Sequence, residues 1–416
     1  MPNFLRRIGN HESGNVLAMA AGLMPLLMGS AALSIDAAQL ALWKRQLQRA
    51  ADSAAIAGAF TMAQDGEADD ITDSITNDLD ENPIPPLVGP PEIFAGPQAG
   101  HQEAVRVNLI SQGNLPFARM FTNTPTTIAA DATAALVQSG NFCMVSMYDG
   151  DQTGIVMTGN STLTLGCGMV TNSTSEDAVE AKGSTRITAS PIGAVGGLDG
   201  TTNRYVGQTV LLPYTTPQAD PLAYLPDPSY NGCPGGDITV DNGDTFTTVP
   251  NAVYCSVTVK PGGTLAIAPG PFVVYGGDVD LKGTVQTVAL NGQPEGSTVI
   301  MTGPNGRAGE FDSNSQAEIK IKPPSGGTYD NISFYRDRRA PYAEIKINGG
   351  SDSIFTGSYY FKNADLRFNG NASLSTTCLQ LVGRKLNFSG NFDLTNNCPA
   401  GPGGGNFQRR LVRLVE

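Results

Sequence analysis

The amino-acid sequence predicts a membrane-anchored, mainly β protein: an N-terminal transmembrane helix, then a small α+β module, then a right-handed parallel β-helix-like domain. Two patterns predict this order. A run without charged residues lies near the N-terminus, and from Phe142 onward a glycine-turn motif recurs with a period near 20 to 24 residues. Glycine (49) and proline (28) are plentiful and only 15% of residues are charged, which favours turns and strands over long soluble helices.

The transmembrane helix is predicted over Val16–Ile35, which contains no charged residue. At about 1.5 Å per residue, this run spans roughly 30 Å, the thickness of the hydrocarbon core of a bilayer. A seven-residue repeat continues beyond it and predicts one helix from about Val16 to Phe60. The repeat consists of Leu33, Leu40, Leu47 and Ala54, with Trp43, Ala50 and Ala57 between them. The alternative is a cleaved signal peptide, with Arg6 and Arg7 before the run and Ala31-Ala32 near its end.

The segment after the apolar run, residues 44–52, is polar on one face and alanine-rich on the other. The alanine-rich face could pack on the protein's own domain. Alternatively, it could form a close-packed seam with a partner helix, because small side chains let two backbones approach each other. The sequence leaves both interpretations open.

Three motifs around the apolar run resemble one family. They are Glu12-Ser13-Gly14-Asn15, Ile35-Asp36 and Leu47-Gln48-Arg49-Ala50-Ala51-Asp52-Ser53-Ala54-Ala55-Ile56-Ala57-Gly58-Ala59. Together they resemble the N-terminal segment of TadG-like proteins, of the TadE/TadG group in the Flp (tight-adherence) pilus assembly system. The resemblance implies a single-pass protein of the bacterial inner membrane with its C-terminal domain in the periplasm. It also implies a non-enzymatic structural or assembly role, with other pilus-assembly proteins as partners through the N-terminal helix, besides the lipid bilayer.

The sequence departs from the family in one respect. Some TadG-like proteins carry a von Willebrand A-type domain with a D-x-S-x-S metal site. The nearest segments here are Asp227-Pro228-Ser229-Tyr230-Asn231, which ends in asparagine, and Asp312-Ser313-Asn314-Ser315, which has another spacing. We therefore predict no metal site and no cofactor.

Three domains are predicted from these patterns. They are 1–62, the transmembrane and juxtamembrane helix; 63–140, a linker and a small α+β module; and 141–416, the glycine-rich β-helix-like domain. Residues 64–100 are acidic and then proline-rich, which is typical of a linker or extended arm. In the module we expect strands at 105–109 and 127–137, and a short helix at 117–121.

The β-helix prediction depends on a weak motif of a glycine turn, a small polar residue and alternating apolar positions. It begins at Gly159, Gly183, Gly263, Gly350, Gly370 and Gly390. A parallel β-helix needs such short strands and turns, because each coil buries its apolar face only against the next coil. An irregular β-sandwich is the alternative, since prolines and glycines break the period from Ala194 to Asp237.

Six cysteines, none in a C-x-x-C pair, lie after residue 140: Cys143, Cys167, Cys233, Cys255, Cys378 and Cys398. This usage fits disulfides in an oxidising compartment better than zinc sites. Cys143 and Cys167, Cys233 and Cys255, and Cys378 and Cys398 are 24, 22 and 20 residues apart, about one coil each. Residues one coil apart stack at roughly 4.8 Å, within the Cα range of a disulfide. From the fifteen possible pairings we predict the bridges 143/167, 233/255 and 378/398, and hence an exported domain.

Charge and histidine content restrict the chemistry of the chain. A net charge of -12 repels phosphate backbones and argues against nucleic acid as a partner. The two histidines, His11 and His101, precede the β region, so that region cannot supply histidine-based catalysis. We interpret the Arg336-Asp337-Arg338-Arg339 cluster as a solvated, mutually paired charge run, and predict no catalytic residue.

Two other functions stay open. A surface adhesin or carbohydrate-binding protein would show an aromatic ladder on one face of the β-helix. A polysaccharide-active enzyme would need convergent carboxylates in a groove, for which Asp278 with Asp280 and Asp149 with Asp151 are weak candidates.

Overall fold

A computed structural model describes most of the 416-residue chain. The described residues are 12–64, 66–82, 85–98, 101–122, 124–199, 202–207, 209–290, 292–348, 353–370, 373–376, 378–390, 393–396 and 407–415. They fall into two compact units, one within residues 1–137 and 411–416 and the other within 138–410. The second unit is therefore inserted into the sequence of the first.

The first unit begins with a helix of 52 residues, α1 (Glu12–Ala63). Alanine, leucine and methionine dominate its sequence and are strong helix formers. Pro25 lies inside the helix, a position that membrane helices tolerate. The helix ends where the backbone N–H of Gly66 donates to the carbonyl of Thr61 (3.0 Å). The single long helix predicted across the apolar run is confirmed.

A second helix, α2 (Ala68–Glu81), forms in the acidic stretch. Glu67 and Asp70 make a capping box at its start, which satisfies backbone N–H groups that have no partner inside the helix. Its buried face consists of Ile71, Ile75 and Leu79. The interpretation of this stretch as a linker or extended arm is therefore wrong for residues 68–81.

Three antiparallel strands complete the first unit: β1 (Glu92–Gln98), β2 (His101–Gly113) and the first part of β3 (Thr126–Ser146). Val107 of β2 pairs with Ile93 of β1 and with Ala132 of β3. A 3₁₀ turn, Ala118–Met120, lies in the connection from β2 to β3. Both helices share one buried core with the sheet.

The second unit consists of short strands. They are β4 (Ile155–Met157), β5 (Thr162–Leu165), β6 (Gly168–Thr171), β7 (Val179–Ala181), β8 (Arg186–Thr188), β9 (Ile192–Ala194), β10 (Leu211–Leu212), β11 (Ile238–Val240), β12 (Thr245–Thr247), β13 (Val253–Tyr254), β14 (Val257–Val259), β15 (Thr264–Ile267), β16 (Gly270–Tyr275), β17 (Val279–Leu281), β18 (Thr284–Thr287), β19 (Ser297–Thr302), β20 (Phe311–Ser313), β21 (Glu318–Ile321), β22 (Ile332–Arg336), β23 (Ala343–Ile347), β24 (Ile354–Phe355), β25 (Gly357–Gly370), β26 (Ser373–Thr376), β27 (Leu379–Gly390), β28 (Asp393–Asn396) and β29 (Phe407–Val415), which ends among the residues of the first unit. Further 3₁₀ turns are Thr202–Arg204 and Pro304–Gly306.

These strands pair in parallel. Most residues of a strand pair with residues that lie about one repeat of the chain further on. One row of paired residues is Ile238, Val257, Val279 and Phe311. Another row is Phe246, Leu265, Val285 and Ile319. We call the paired strands between residues 142 and 396 the parallel stack. The predicted order of an apolar helix followed by mainly β structure with parallel sheets is confirmed.

Glycine turns of the predicted motif lie one above another in the stack. Gly390, Gly159 and Gly183 all have positive φ. A Cβ at Gly159 would lie 2.6 Å from the carbonyl oxygen of Gly390, and a Cβ at Gly183 2.5 Å from that of Gly159. Only glycine therefore fits these turns. Parts of the motif at residues 350–352, 371–372 and 391–392 lie outside the described residues.

The layers of the stack do not follow one another in chain order. Leu386 of β27 pairs with Leu366 of β25 on one side and with Ile155 of β4 on the other. The last layers of the chain therefore lie on the first ones. β10 and β11, next to each other in sequence, pair only with β9 and β14 among the described strands, so they lie at opposite ends of the stack. Residues 213–237, which we call the return segment, connect these two ends.

The return segment runs along the outside of the stack. The side-chain amide of Asn172 donates to the carbonyl of Gln218 (2.8 Å), and the Tyr360 hydroxyl donates to Asp220 (2.7 Å). The segment covers an outward apolar row made of Phe142, Val145, Val170, Val273, Ile300, Ile332, Tyr335, Tyr360, Val382 and Phe407, against which its Leu222 and Leu225 are buried. This path is the physical reason for the broken period over 194–237, the feature on which the alternative prediction of a β-sandwich depends.

Candidate membrane anchor

The N-terminal part of α1 exposes apolar side chains all around the helix. Leu26, Leu27 and Leu33 are 69%, 67% and 72% exposed. From Met19 onward, α1 contains a long apolar stretch in which almost every side chain is exposed. The helix is therefore long and apolar enough to cross a bilayer, and residues 19–35 of the predicted span Val16–Ile35 lie in this exposed stretch.

Asp36 is the first buried side chain after the exposed apolar part. Its carboxylate accepts hydrogen bonds from the backbone N–H groups of Phe117 (3.1 Å) and Ala118 (2.6 Å). These groups begin the 3₁₀ turn, where N–H groups lack partners within the turn and a negative charge is favourable. Asp36 thus joins α1 to the β2–β3 connection at the point where the exposed apolar part ends.

Further contacts fix α1 along the sheet. The ring of Trp43 lies against Gly113, where an added Cβ would lie 2.4 Å from it. Lys44 Nζ donates to the carbonyl of Ala129, and Gln48 Nε2 donates to that of Asp131 (2.8 Å). The end of β2 and the start of β3 therefore lie beside residues 43–48 of the helix.

Small side chains line the buried face of α1, which we call the seam. The seam consists of Leu47, Ala50, Ala51, Ala54, Ala55, Gly58 and Ala59, packed with α2 and the sheet. A Cβ at Gly58 would lie 2.8 Å from Cδ1 of Ile75, which shows how closely the two helices approach. Of the two interpretations left open for residues 44–52, packing on the protein's own domain is the one observed.

Replacing Ala54 by leucine is expected to destabilise the first unit by about 1–3 kcal/mol, because the seam has no room for a larger side chain. Trp43 is the single tryptophan and lies beside the seam, so its fluorescence during thermal unfolding reports on this unit. Ala41→Leu makes the same change at an exposed position of α1 and should shift the stability by no more than about 0.5 kcal/mol. Equal melting of both variants would contradict a close-packed seam.

Two predicted cysteine pairs lie at disulfide distance. The Cα atoms are 5.8 Å apart for Cys143–Cys167 and 5.0 Å apart for Cys233–Cys255. The first pair joins neighbouring layers of the stack, and the second fixes the end of the return segment. The third predicted pair includes Cys398, which lies outside the described residues.

The Arg336–Arg339 cluster is mutually paired as predicted, but Arg336 and Asp337 are buried, Arg338 is half-buried and Arg339 is exposed. The interpretation as a solvated charge run is therefore wrong for residues 336–338. Asp337 is 1% exposed and accepts hydrogen bonds from Thr302 Oγ1 (2.7 Å) and Arg339 Nη2 (2.7 Å). Burial by itself would raise the pKa of Asp337, but the hydrogen bonds from Arg339 and Thr302 outweigh it and hold the pKa below the ordinary 3.8. Sequence reasoning missed this because Thr302 is remote in the chain.

The last two arginines of the cluster, Arg338 and Arg339, bind the return segment. Arg338 donates to the carbonyl oxygens of Leu222 (2.9 Å) and Leu225 (3.0 Å). Arg339 donates to the carbonyl of Pro228 (3.0 Å). The cluster therefore serves as an internal clamp between the stack and the return segment.

One of the two candidate carboxylate pairs, Asp278 with Asp280, has structural partners. Asp278 accepts a hydrogen bond from the backbone N–H of Glu310 (2.7 Å), and Asp280 forms an ion pair with Lys282 (2.6 Å). Within the part of the chain that the structure describes, no three His, Cys, Asp or Glu side chains come close enough together to hold a metal ion.

The exposed apolar helix, the Asp36 contact and the seam define the class: among the described residues, one helix is long and apolar enough to cross a membrane, and mainly β structure follows it. Residues 14–64 match the family described as Putative Flp pilus-assembly TadE/G-like. The match ends beside the last residue of α1 and confirms the resemblance noted in the sequence. It supports a pilus-related role and favours a structural function over a catalytic one. No curated protein and no solved structure matches the chain.

Proposed function

We propose that the chain is a non-enzymatic structural or assembly component of a bacterial Flp (Tad) pilus system. The observation that carries the proposal is the coincidence of the family match, residues 14–64, with α1 (Glu12–Ala63). The matched segment would then be an anchor helix whose second half is held in the seam. In this proposal α1 crosses the inner membrane once.

The second unit would be exported to the periplasm. Two cysteine pairs at disulfide distance support this, because disulfides persist in oxidising compartments. Its parallel layers and stacked glycine turns support a parallel β-helix, right-handed as such folds with parallel crossovers usually are. The body would act as a rigid exported part held by the anchor.

The aromatic rows of the stack support a structural use of that unit. The rings of Phe334 and Tyr359 lie 4.9 Å apart and those of Tyr335 and Tyr360 5.0 Å apart, and all four are buried. An adhesin of the kind considered above would expose its aromatic ladder to solvent. We therefore rank the assembly role above the adhesin and the enzyme.

Partners would meet the membrane part of α1, because the seam face is already occupied within the chain. Gly22 and Gly29 lie about two turns apart on the same side of the helix, with no atom outside the helix's own backbone near them. Small residues at such positions let a second membrane helix approach closely. Other pilus-assembly proteins with membrane helices are the partners we propose.

Deletion of the gene in its bacterium should abolish or sharply reduce Flp pili counted by electron microscopy, and the full chain should restore them. The Gly22→Leu/Gly29→Leu variant should stay in the membrane at normal amount but fail to restore pili. Met24→Leu/Met28→Leu, which changes neighbouring exposed positions without closing the approach, should restore them. Normal piliation in the deletion strain would contradict the pilus role; normal piliation with the glycine variant would contradict a partner at this helix face.

A further inference from the structure

Two large apolar side chains protrude from the β2–β3 connection. Met120 is 77% and Phe121 88% exposed. The turn that carries them is well ordered by its own hydrogen bonds: the N–H of Met120 donates to the carbonyl of Phe117 (3.0 Å), and the N–H of Phe121 to that of Ala118 (3.0 Å). The first unit therefore holds these two side chains outward although burial elsewhere would be favourable.

The connection lies at the membrane end of the first unit. Gly113, where β2 ends, is beside Trp43, whereas Phe117 and Ala118 are hydrogen-bonded to Asp36. Asp36 and Trp43 are seven residues apart in α1, which corresponds to about 10 Å along the helix. The segment that leaves β2 therefore advances by about that distance toward the exposed apolar part. Met120 and Phe121 follow directly.

The level of Asp36 is also the boundary of the apolar surface. Leu26, Leu27, Leu33 and Ile35 are all exposed, and no described part of the chain covers Leu33. The apolar tip of the connection therefore follows directly on residues that are hydrogen-bonded at the level where the apolar surface of α1 ends. The interfacial zone on each side of a bilayer core is several ångströms deep, which is enough to receive one turn of chain.

We propose that the β2–β3 connection is a second membrane contact, in which Met120 and Phe121 insert into the lipid interface beside α1. This inference rests on the proposed anchoring by α1. Phenylalanine and methionine suit the acyl boundary, and the exposed Arg119 beside them suits lipid phosphates. Together with Asp36, this contact fixes the depth and rotation of the anchor, since a second attachment point removes the freedom that a lone helix has.

Tryptophan placed at chosen positions of the full chain tests the contact. The protein is reconstituted into phosphatidylcholine–phosphatidylglycerol vesicles whose acyl chains carry bromine near the headgroups, and emission is compared with unbrominated vesicles. Trp43, the single native tryptophan, is the background to be subtracted. Phe121→Trp should lose much of its added emission in the brominated vesicles.

Two further positions separate the possible outcomes. Leu27→Trp lies near the middle of the exposed apolar part, so it should be quenched in vesicles whose acyl chains carry bromine near their ends if α1 crosses the bilayer. Phe94 is also exposed, and it pairs with Arg106 on the neighbouring strand. Arg106 forms an ion pair with Asp131, whose carbonyl binds Gln48, about 18 Å along the helix from Asp36. Phe94→Trp is therefore far from the membrane level and should keep its emission. Quenching of Leu27→Trp without quenching of Phe121→Trp would overturn the second contact alone. Quenching of Phe94→Trp as strong as that of Phe121→Trp would overturn the location of the contact. No quenching of Leu27→Trp would overturn the anchor on which the inference rests.

Discussion

Arginine at both Leu26 and Leu27 is expected to remove the chain from the membrane. Both side chains lie near the middle of the exposed apolar part of α1. One arginine at the centre of a membrane helix costs about 2.5–3.5 kcal/mol of insertion free energy, so two cost about 5–7 kcal/mol. In cell fractionation, the double variant should disappear from carbonate-washed membranes and be found soluble or degraded.

The matched control is Leu26→Ile/Leu27→Ile, which changes the same positions but keeps them apolar. It should fractionate with the membranes like the unchanged chain. A double-arginine variant that remains in washed membranes would mean that α1 is not what holds the protein there, and the proposed topology would be wrong.

Loss of Asp337 is expected to have the largest effect on the second unit. Asp337→Ala leaves Arg336 buried without its neighbouring carboxylate and removes partners of Thr302 and Arg339. Breaking a fully buried ion pair costs about 3–5 kcal/mol of unfolding free energy, and a surface pair about 0–1 kcal/mol. Because Asp337 is fully buried but Arg339 is 40% exposed, we expect a loss between these limits. Denaturant unfolding followed by circular dichroism of the strands measures the change. Limited proteolysis should cut the return segment, which the cluster holds.

The control for this prediction is Asp241→Ala. Asp241 also forms an ion pair, with Lys260 at 2.6 Å, but the side chains are 58% and 53% exposed, and such surface pairs contribute only about 0–1 kcal/mol. Acidity gives a second readout. Because the pKa of Asp337 is lowered in the folded chain, its contribution is complete above pH 3.8 and is lost as the pH falls further. The difference between the unchanged chain and Asp337→Ala should therefore shrink in acid; a difference that does not change with pH would contradict the charged role of Asp337.

Local patterns in the sequence were sufficient for the helix and for the glycine turns. Val16–Ile35 predicts a long apolar helix because no charge interrupts it, and the structure extends that helix to Ala63. Gly159, Gly183 and Gly390 predict turns because glycine alone accepts their backbone conformation and their close stacking. In both cases the determining interaction is near in sequence or repeats at a fixed spacing.

Long-range contacts account for what the sequence did not reveal. The acidic composition of residues 64–81 predicts a linker, although Ile71, Ile75 and Leu79 recur at helical spacing, because their partners lie in the distant seam of α1. The charge run around Arg338 predicts a solvated surface, because its acceptors, the carbonyls of Leu222 and Leu225, belong to a remote segment without regular structure. Asp36 belongs to the Ile35-Asp36 motif, but the sequence does not indicate its hydrogen-bond partners. These partners are the backbone N–H groups of Phe117 and Ala118, and a backbone group leaves no pattern of side chains in the sequence.

The most direct test of the whole account is mass spectrometry, without reduction, of the protein from purified membranes and from sheared pili. We expect the chain in membranes to retain Val16–Ile35 and to contain the bridges Cys143–Cys167 and Cys233–Cys255. Cysteines found as thiols would contradict an exported second unit. A chain that begins after Ala32 would contradict the anchor, because the helix that is proposed to hold it in the membrane would have been removed.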